Sequence, residues 1–188
     1  AYHARQNNIS TVVCAGGVFA NVKLNERIRA LSEVKELYVF PHMGDGGLSV
    51  GACYLSLAKR GLRPEPMSNV YLGTGTTAED IEAAKAKYAD QVVFEPYEHE
   101  VLVNTTLDLI EKGTIIGLFQ GRMEYGPRAL GNRSVIYHAR DATVNDWLNK
   151  RMHRSEFMPF APVTTAELAP RCFVGWEKSH LTTRYMTE

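Results

Sequence analysis

No apolar run in this sequence approaches the ~20 residues of a membrane-spanning helix. No charged-then-apolar leader opens it either, so the reading is of a chain without membrane contact. Cysteine is scarce: Cys14, Cys53 and Cys172 are odd in number and far apart. That excludes a disulfide framework and a CxxC metal clip, and leaves them as buried thiols in a reducing cytoplasm. Charge of one sign is not in excess, since Lys and Arg total 21 against 21 Asp and Glu, so any basic patch must be local. Nucleophile elbow, Walker A loop, HExxH motif and Cys/His cluster are all missing, which argues against covalent catalysis by a side chain. An initiator Met is missing as well, and "LTTRYMTE" ends without a stop signal for its last element; the expectation is a piece of something longer. What remains is ordinary globular composition, 45% hydrophobic over 188 residues, enough for one good-sized domain or two small ones.

The first sixty residues alternate. "ISTVVCAGGV" predicts a β-branched strand ending in a Gly-Gly turn, and "NVKLNERIRALSEV" predicts a helix with Val22, Ile28 and Leu31 near one face. "KELYVF" predicts a second strand, running into "PHMGDGG" and a helix with Leu48, Ala52, Leu55 and Ala58 at helical spacing until Gly61. This order argues for an α/β fold with a parallel or mixed sheet and glycine loops at its carboxyl edge, where such sheets bind ligands. The Pro/Gly/Thr-rich stretch before "AEDIEAAKAKYA" is the expected domain seam, and Thr76 or Thr77 the expected cap of that helix. Further along, "QVVFEPY" predicts a strand and "EVLVNTTLDLIEKG" an amphipathic helix stopped by Gly113. "TIIGLFQG" predicts a buried strand, "TVNDWLNKRMHRSEF" a helix and "MPFAPVTT" an extended segment.

Four constellations could carry chemistry. In "AGGVFAN", Gly16 and Gly17 let main chain approach a phosphate or ribose, with a helix N-terminus following; a tight strand-to-helix turn explains them equally. In "PHMGDGGLSVGA", Asp45 either caps the helix or offers a carboxylate to a metal, Gly46 and Gly47 can turn amides toward phosphate oxygens, and His42 is a packed, solvated or ligating imidazole. The third is "QGRMEYGPRALGNRS", residues 120–134. Arg122, Arg128 and Arg133 are followed by Arg140, Lys150, Arg151 and Arg154 against only three acids, Glu124, Asp141 and Asp146. A neutral protein that concentrates guanidinium forks on a Gly- and Pro-fixed loop is gripping oxyanions, unless the forks are taken by internal partners. "EFMPFAPVT" is either a rigid wall against the core or an apolar floor for a small planar ligand.

In this order and spacing, the four motifs resemble the carboxyl-terminal half of the NodU/CmcH/TobZ-like O-carbamoyltransferases of nodulation and antibiotic tailoring. The resemblance implies the end of an actin-like (ASKHA) mixed-sheet domain over 1–68, a connector and helix over 69–90, and a truncated YrdC-like twisted α/β domain over 91–188. In that family the YrdC-like domain makes carbamoyl adenylate from carbamoyl phosphate and ATP. The actin-like domain passes the carbamoyl group to a substrate hydroxyl beside a bound divalent metal, iron by the resemblance, with magnesium as the alternative. Carried over by position, Gly16, Gly17 and Asn21 match the nucleotide loop, with Gly46 and Gly47 beside it, and Asp45 matches a metal ligand. Arg122, Arg128, Asn132, Arg133 and Ser134 match the adenylating signature, and Lys150, Arg151 and Arg154 fall in its basic segment. Two histidines of the metal site belong to the family's amino-terminal half, so this piece is not expected to transfer carbamoyl unaided.

The expected partners are therefore carbamoyl phosphate, ATP, a hydroxyl-bearing small-molecule acceptor and the amino-terminal half of the same protein. A different class of function, RNA binding or a tRNA threonylcarbamoyl-type module, would also use a basic concave surface. Zero net charge and the lack of a spaced aromatic series count against nucleic acid.

Overall fold

The computed structural model describes residues 1–140, 143–153, 160–174, 176 and 181–188. It is a mixed α/β structure with two small sheets, and the chain divides into two compact units. The first comprises Ala1–Leu72, Glu124–Leu130 and Thr164–Glu188; the second comprises Gly73–Met123 and Gly131–Val163.

The first unit begins with a short helix α1 (Tyr2–Gln6), then strand β1 (Thr11–Cys14), helix α2 (Val22–Arg29) and strand β2 (Glu36–Val39). β1 and β2 pair in parallel with Thr11 opposite Glu36 and Cys14 opposite Val39, so α2 is the crossover a parallel pair requires. Asn21 starts α2, its side-chain oxygen accepting the Leu24 amide at 3.2 Å. The core is small: Cys14, Val34, Leu37, Val39 and Met43 are buried together, with Val12, Phe19 and Ile28 packed against them. Helix α3 (Leu48–Lys59) follows, and two short helices, Ala169–Cys172 and Leu181–Arg184, complete the unit. The carboxyl-terminal segment is tied down by side chains. Buried Asn25 donates to the Phe19 carbonyl at 2.8 Å and to that of Thr187, and Arg29 pairs with Glu188.

The second unit holds helices α4 (Ala78–Lys87) and α5 (His99–Glu111), strands β3 (Ile116–Phe119) and β4 (Arg133–Ile136), and helix α6 (Val144–Arg151). β3 and β4 are antiparallel, with Ile116 opposite Ile136 and Phe119 opposite Arg133. Thr77 is the cap of α4, in a reciprocal capping box with Asp80. Gly113 ends α5 at φ 78°, where a side chain would be strained.

Several expectations change. "QVVFEPY" forms no strand, since among the described residues no strand pairs with it, and Val93 stays 83% exposed. β3 is not buried: one face is open and Phe119 is 64% exposed. Part of the arginine-rich stretch read as a loop is strand β4. Only Cys14 is a buried thiol, and burial raises its pKa; Cys53 and Cys172 are exposed. Among the described residues no helix is long and apolar enough to cross a membrane.

Candidate active-site loops

Three of the sequence motifs converge in the first unit. The amide of Gly16 donates to the Met43 carbonyl at 2.6 Å and that of Phe40 to the Cys14 carbonyl at 3.0 Å, which brings the "AGG" turn beside the "PHMGDGG" turn at the carboxyl ends of the parallel strands. Gly16 sits at φ 118°, and a Cβ on Gly17 would meet nothing within 4 Å, so main chain is accessible there.

Residues 124–130, the centre of the arginine-rich stretch, clip onto both turns. The Tyr125 hydroxyl donates to the Gly46 carbonyl at 2.8 Å, its amide donates to the Val70 carbonyl at 2.6 Å, and its ring meets His42 edge-on with centroids 4.9 Å apart. Gly126, at φ 123°, lies so close to Pro41 that a Cβ would come within 3.2 Å of the Pro41 carbonyl oxygen. Arg128 donates through Nη2 to the Ala20 carbonyl at 2.8 Å, at the end of the "AGGVFA" turn. Buried Glu124 closes the segment on itself by accepting the Leu130 amide at 2.7 Å.

Asp45 opens a single 3-10 turn, Asp45–Gly47, and caps neither that turn nor α3, whose N-cap is Gly47. The helix-cap reading of Asp45 is therefore not what the structure uses: its carboxylate is exposed and accepts no hydrogen bond among the described residues. Gly46 and Gly47 are glycines for a packing reason. A Cβ on Gly46 would stand 2.0 Å from His42 Nε2, and one on Gly47 would stand 2.2 Å from the His42 carbonyl oxygen. His42 itself is packed, its Nδ1 buried without a hydrogen-bond partner among the described residues, as is Arg128 Nε. The described residues hold no group of three or more His, Cys, Asp or Glu able to bind a metal.

Arg122 and Arg133 fold with the second unit, so the structure does not bring the three expected arginines into one unit. Arg122 donates through Nε to the Gly73 carbonyl at 2.8 Å and borders an open cleft of about 320 Å³ shared with Thr76, Ile81, Phe119 and Gln120. Arg133 donates to the carbonyls of Gln120 at 2.7 Å and Asn132 at 2.8 Å, and its guanidinium lies 3.6 Å over the Phe119 ring. Asn132 donates to the Arg122 carbonyl at 2.6 Å, and Ser134 accepts the Gly131 amide at 2.9 Å. These four side chains build the turn between β3 and β4. Lys150 and Arg151 are exposed in the last turn of α6, Arg151 over the Trp147 ring at 5.5 Å, while Arg154 lies outside the described residues.

Sequence reasoning missed Tyr125, while His42 takes the packed alternative of its three readings. The available signal was an aromatic residue set between Glu124 and Gly126 in a stretch otherwise rich in glycine and charge.

Two family models match the chain, carbamoyltransferase N-terminus over residues 2–54 and carbamoyltransferase C-terminus over residues 107–188. Uncharacterized protein MJ1058 of Methanocaldococcus jannaschii is 38% identical over 92% of this chain and 29% of its own length. Nodulation protein NolO of Bradyrhizobium diazoefficiens is 30% identical over 92% of this chain and 32% of its own length. Nodulation protein U of Azorhizobium caulinodans is 29% identical over 88% of this chain and 28% of its own length. The chain spans under a third of the length of the curated relatives it matches.

Proposed function

We propose that this chain, which belongs to the carbamoyltransferase family, is part of an O-carbamoyltransferase that makes carbamoyl adenylate and passes carbamoyl to the hydroxyl of a small molecule. In this reading residues 1–68 end an actin-like domain and residues 91–188 belong to a YrdC-like domain, joined by 69–90. Nodulation-factor or secondary-metabolite tailoring is the proposed setting, in keeping with the nodulation proteins among the relatives, and the cytoplasm is the proposed compartment.

The reaction needs charge stabilisation more than a nucleophile. Water hydrolyses carbamoyl phosphate to carbamate and inorganic phosphate, and a carbamate oxygen attacks the α-phosphorus of ATP. Pyrophosphate leaves, and carbamoyl adenylate remains. The acceptor hydroxyl then attacks the carbamoyl carbon, releasing AMP and a proton. Negative charge builds on the departing pyrophosphate and on the carbamoyl oxygen, which is where fixed donors are worth most. Arg122, Arg128 and Arg133 are the proposed donors, with Asn132, Ser134, Lys150, Arg151 and Arg154 supporting the phosphate grip. Gly16, Gly17, Asn21, Gly46 and Gly47 would cradle the nucleotide in the first unit. Asp45 would give one ligand to a divalent cation, iron or magnesium, which would polarise the carbamoyl oxygen; the remaining ligands would come from elsewhere in the enzyme.

The single observation that carries this reading is the convergence of three family motifs on one spot, with Arg128 and Tyr125 reaching Ala20 and Gly46. The test is carbamoyl-phosphate-dependent exchange of pyrophosphate into ATP by the full-length enzyme. Exchange that does not depend on carbamoyl phosphate would overturn the proposal.

A further inference from the structure

We infer that Tyr125 is a positioning residue: its hydroxyl holds the Asp45–Gly47 turn in the shape that presents the Gly46 amide and the Asp45 carboxylate to a nucleotide. The inference rests on the proposed function and deepens it, because nothing in the motif's arginines accounts for this tyrosine.

Asp45–Gly47 is a three-residue turn with no side-chain cap, closed by the Gly47 amide donating to the Gly44 carbonyl at 3.0 Å. Two consecutive glycines add freedom, and each has more accessible backbone conformations than any other residue. Yet both are packed tightly, since a Cβ on either would overlap His42. The turn is therefore shaped by its neighbours as well as by its own backbone bond. One side is the His42 ring, and the Gly46 carbonyl accepts both the Ser49 hydroxyl of α3 at 3.1 Å and, as the shorter bond, the Tyr125 hydroxyl at 2.8 Å.

Tyr125 is itself well fixed. Its amide donates to the Val70 carbonyl at 2.6 Å, and its ring packs edge-on against His42 at 4.9 Å and Phe40 at 6.4 Å. The neighbouring Gly126 lets the backbone pass against Pro41, and the Glu124 carboxylate holds the far end of the segment through the Leu130 amide. A phenol on so restrained a backbone gives a rigid reach of fixed length. Phenylalanine keeps the ring contacts and removes only the hydrogen bond.

The test uses full-length enzyme, wild type and Tyr125→Phe. Two readouts are AMP binding, AMP being the nucleotide released on transfer, and amide hydrogen exchange over residues 44–48 and over β1. The expected result is AMP affinity about fivefold weaker, the size a single neutral hydrogen bond confers. Exchange over 44–48 should quicken by a similar factor while β1 is unchanged. Wild-type AMP affinity with unchanged exchange at 44–48 overturns the inference. So does faster exchange across both segments, which marks the tyrosine as a general stabiliser. Wild-type enzyme that neither binds AMP nor shows carbamoyl-phosphate-dependent pyrophosphate exchange overturns the proposed function, whatever the variant does.

Discussion

Asn25, fully buried in α2, donates its side-chain amide to the main-chain carbonyl of Thr187 at 2.6 Å, joining positions 162 apart in the sequence. The same amide reaches the Phe19 carbonyl, so one side chain satisfies two acceptors that packing has removed from water. Replacing it with alanine strands both. Asn25→Ala should destabilise the first unit by about 2 kcal/mol, the cost of leaving a buried polar group unpaired. Urea unfolding measures it, and a loss under about 0.5 kcal/mol would show that water reaches these carbonyls.

Arg128 tests the charge argument. Arg128→Ala in the full-length enzyme should lower carbamoyl-phosphate-dependent pyrophosphate exchange on the order of 100-fold, as for other fixed donors to developing oxyanions. Arg128→Lys should recover little, because an ammonium cannot serve the Ala20 carbonyl and a phosphate in the same planar fork. Unchanged exchange in the alanine variant would remove Arg128 from the chemistry.

Two glycines separate steric need from helix propensity. Gly46→Ala places a methyl 2.0 Å from His42 Nε2 and should cost about 1–3 kcal/mol by overpacking. Gly51 lies inside α3 with nothing within 4 Å of its would-be Cβ, so Gly51→Ala should stabilise by about 0.5–1 kcal/mol. Thermal melts of both variants beside the wild type give the two signs directly.

Asp80 gives a pH dependence. Hydrogen bonds from the Thr77 amide, and next from the Thr77 hydroxyl, hold its carboxyl below the usual aspartate range. The native pKa lies below the unfolded one, so the stabilisation is present above the unfolded value and disappears as pH falls through the native one. Amide exchange in the first turn of α4 should therefore accelerate on acidification through that range. In Asp80→Asn the acceleration should shrink to the share of Glu79, whose carboxyl is held low in the same turn by its own amide and next by the Thr77 hydroxyl.

Much of the fold was legible because local physics matched tertiary outcome. The β-branched run before Gly16 became β1, Thr77 became a cap, and Gly113 became a stop. "QVVF" misled because it has the residues of a strand, and a strand exists only where a partner supplies the other half of its hydrogen bonds. β4 was hidden for the opposite reason, since its four residues begin at Arg133 inside a stretch that reads as a loop. The glycine turns and the arginine-rich stretch were visible as site material. Their meeting was not, because the Tyr125 to Gly46 bond spans 79 positions and the Arg128 to Ala20 bond 108, distances over which no periodicity speaks. Nor could composition say that Arg133 would spend its fork on the carbonyls of Gln120 and Asn132.

Glu124–Leu130 is a seven-residue loan: the chain on both sides of it folds with the other unit. Grafting between relatives at a single crossover within residues 73–123 would give the first unit a foreign plug in its glycine turns. Functional chimeras should arise only when the plug and its receiving turns descend from the same parent.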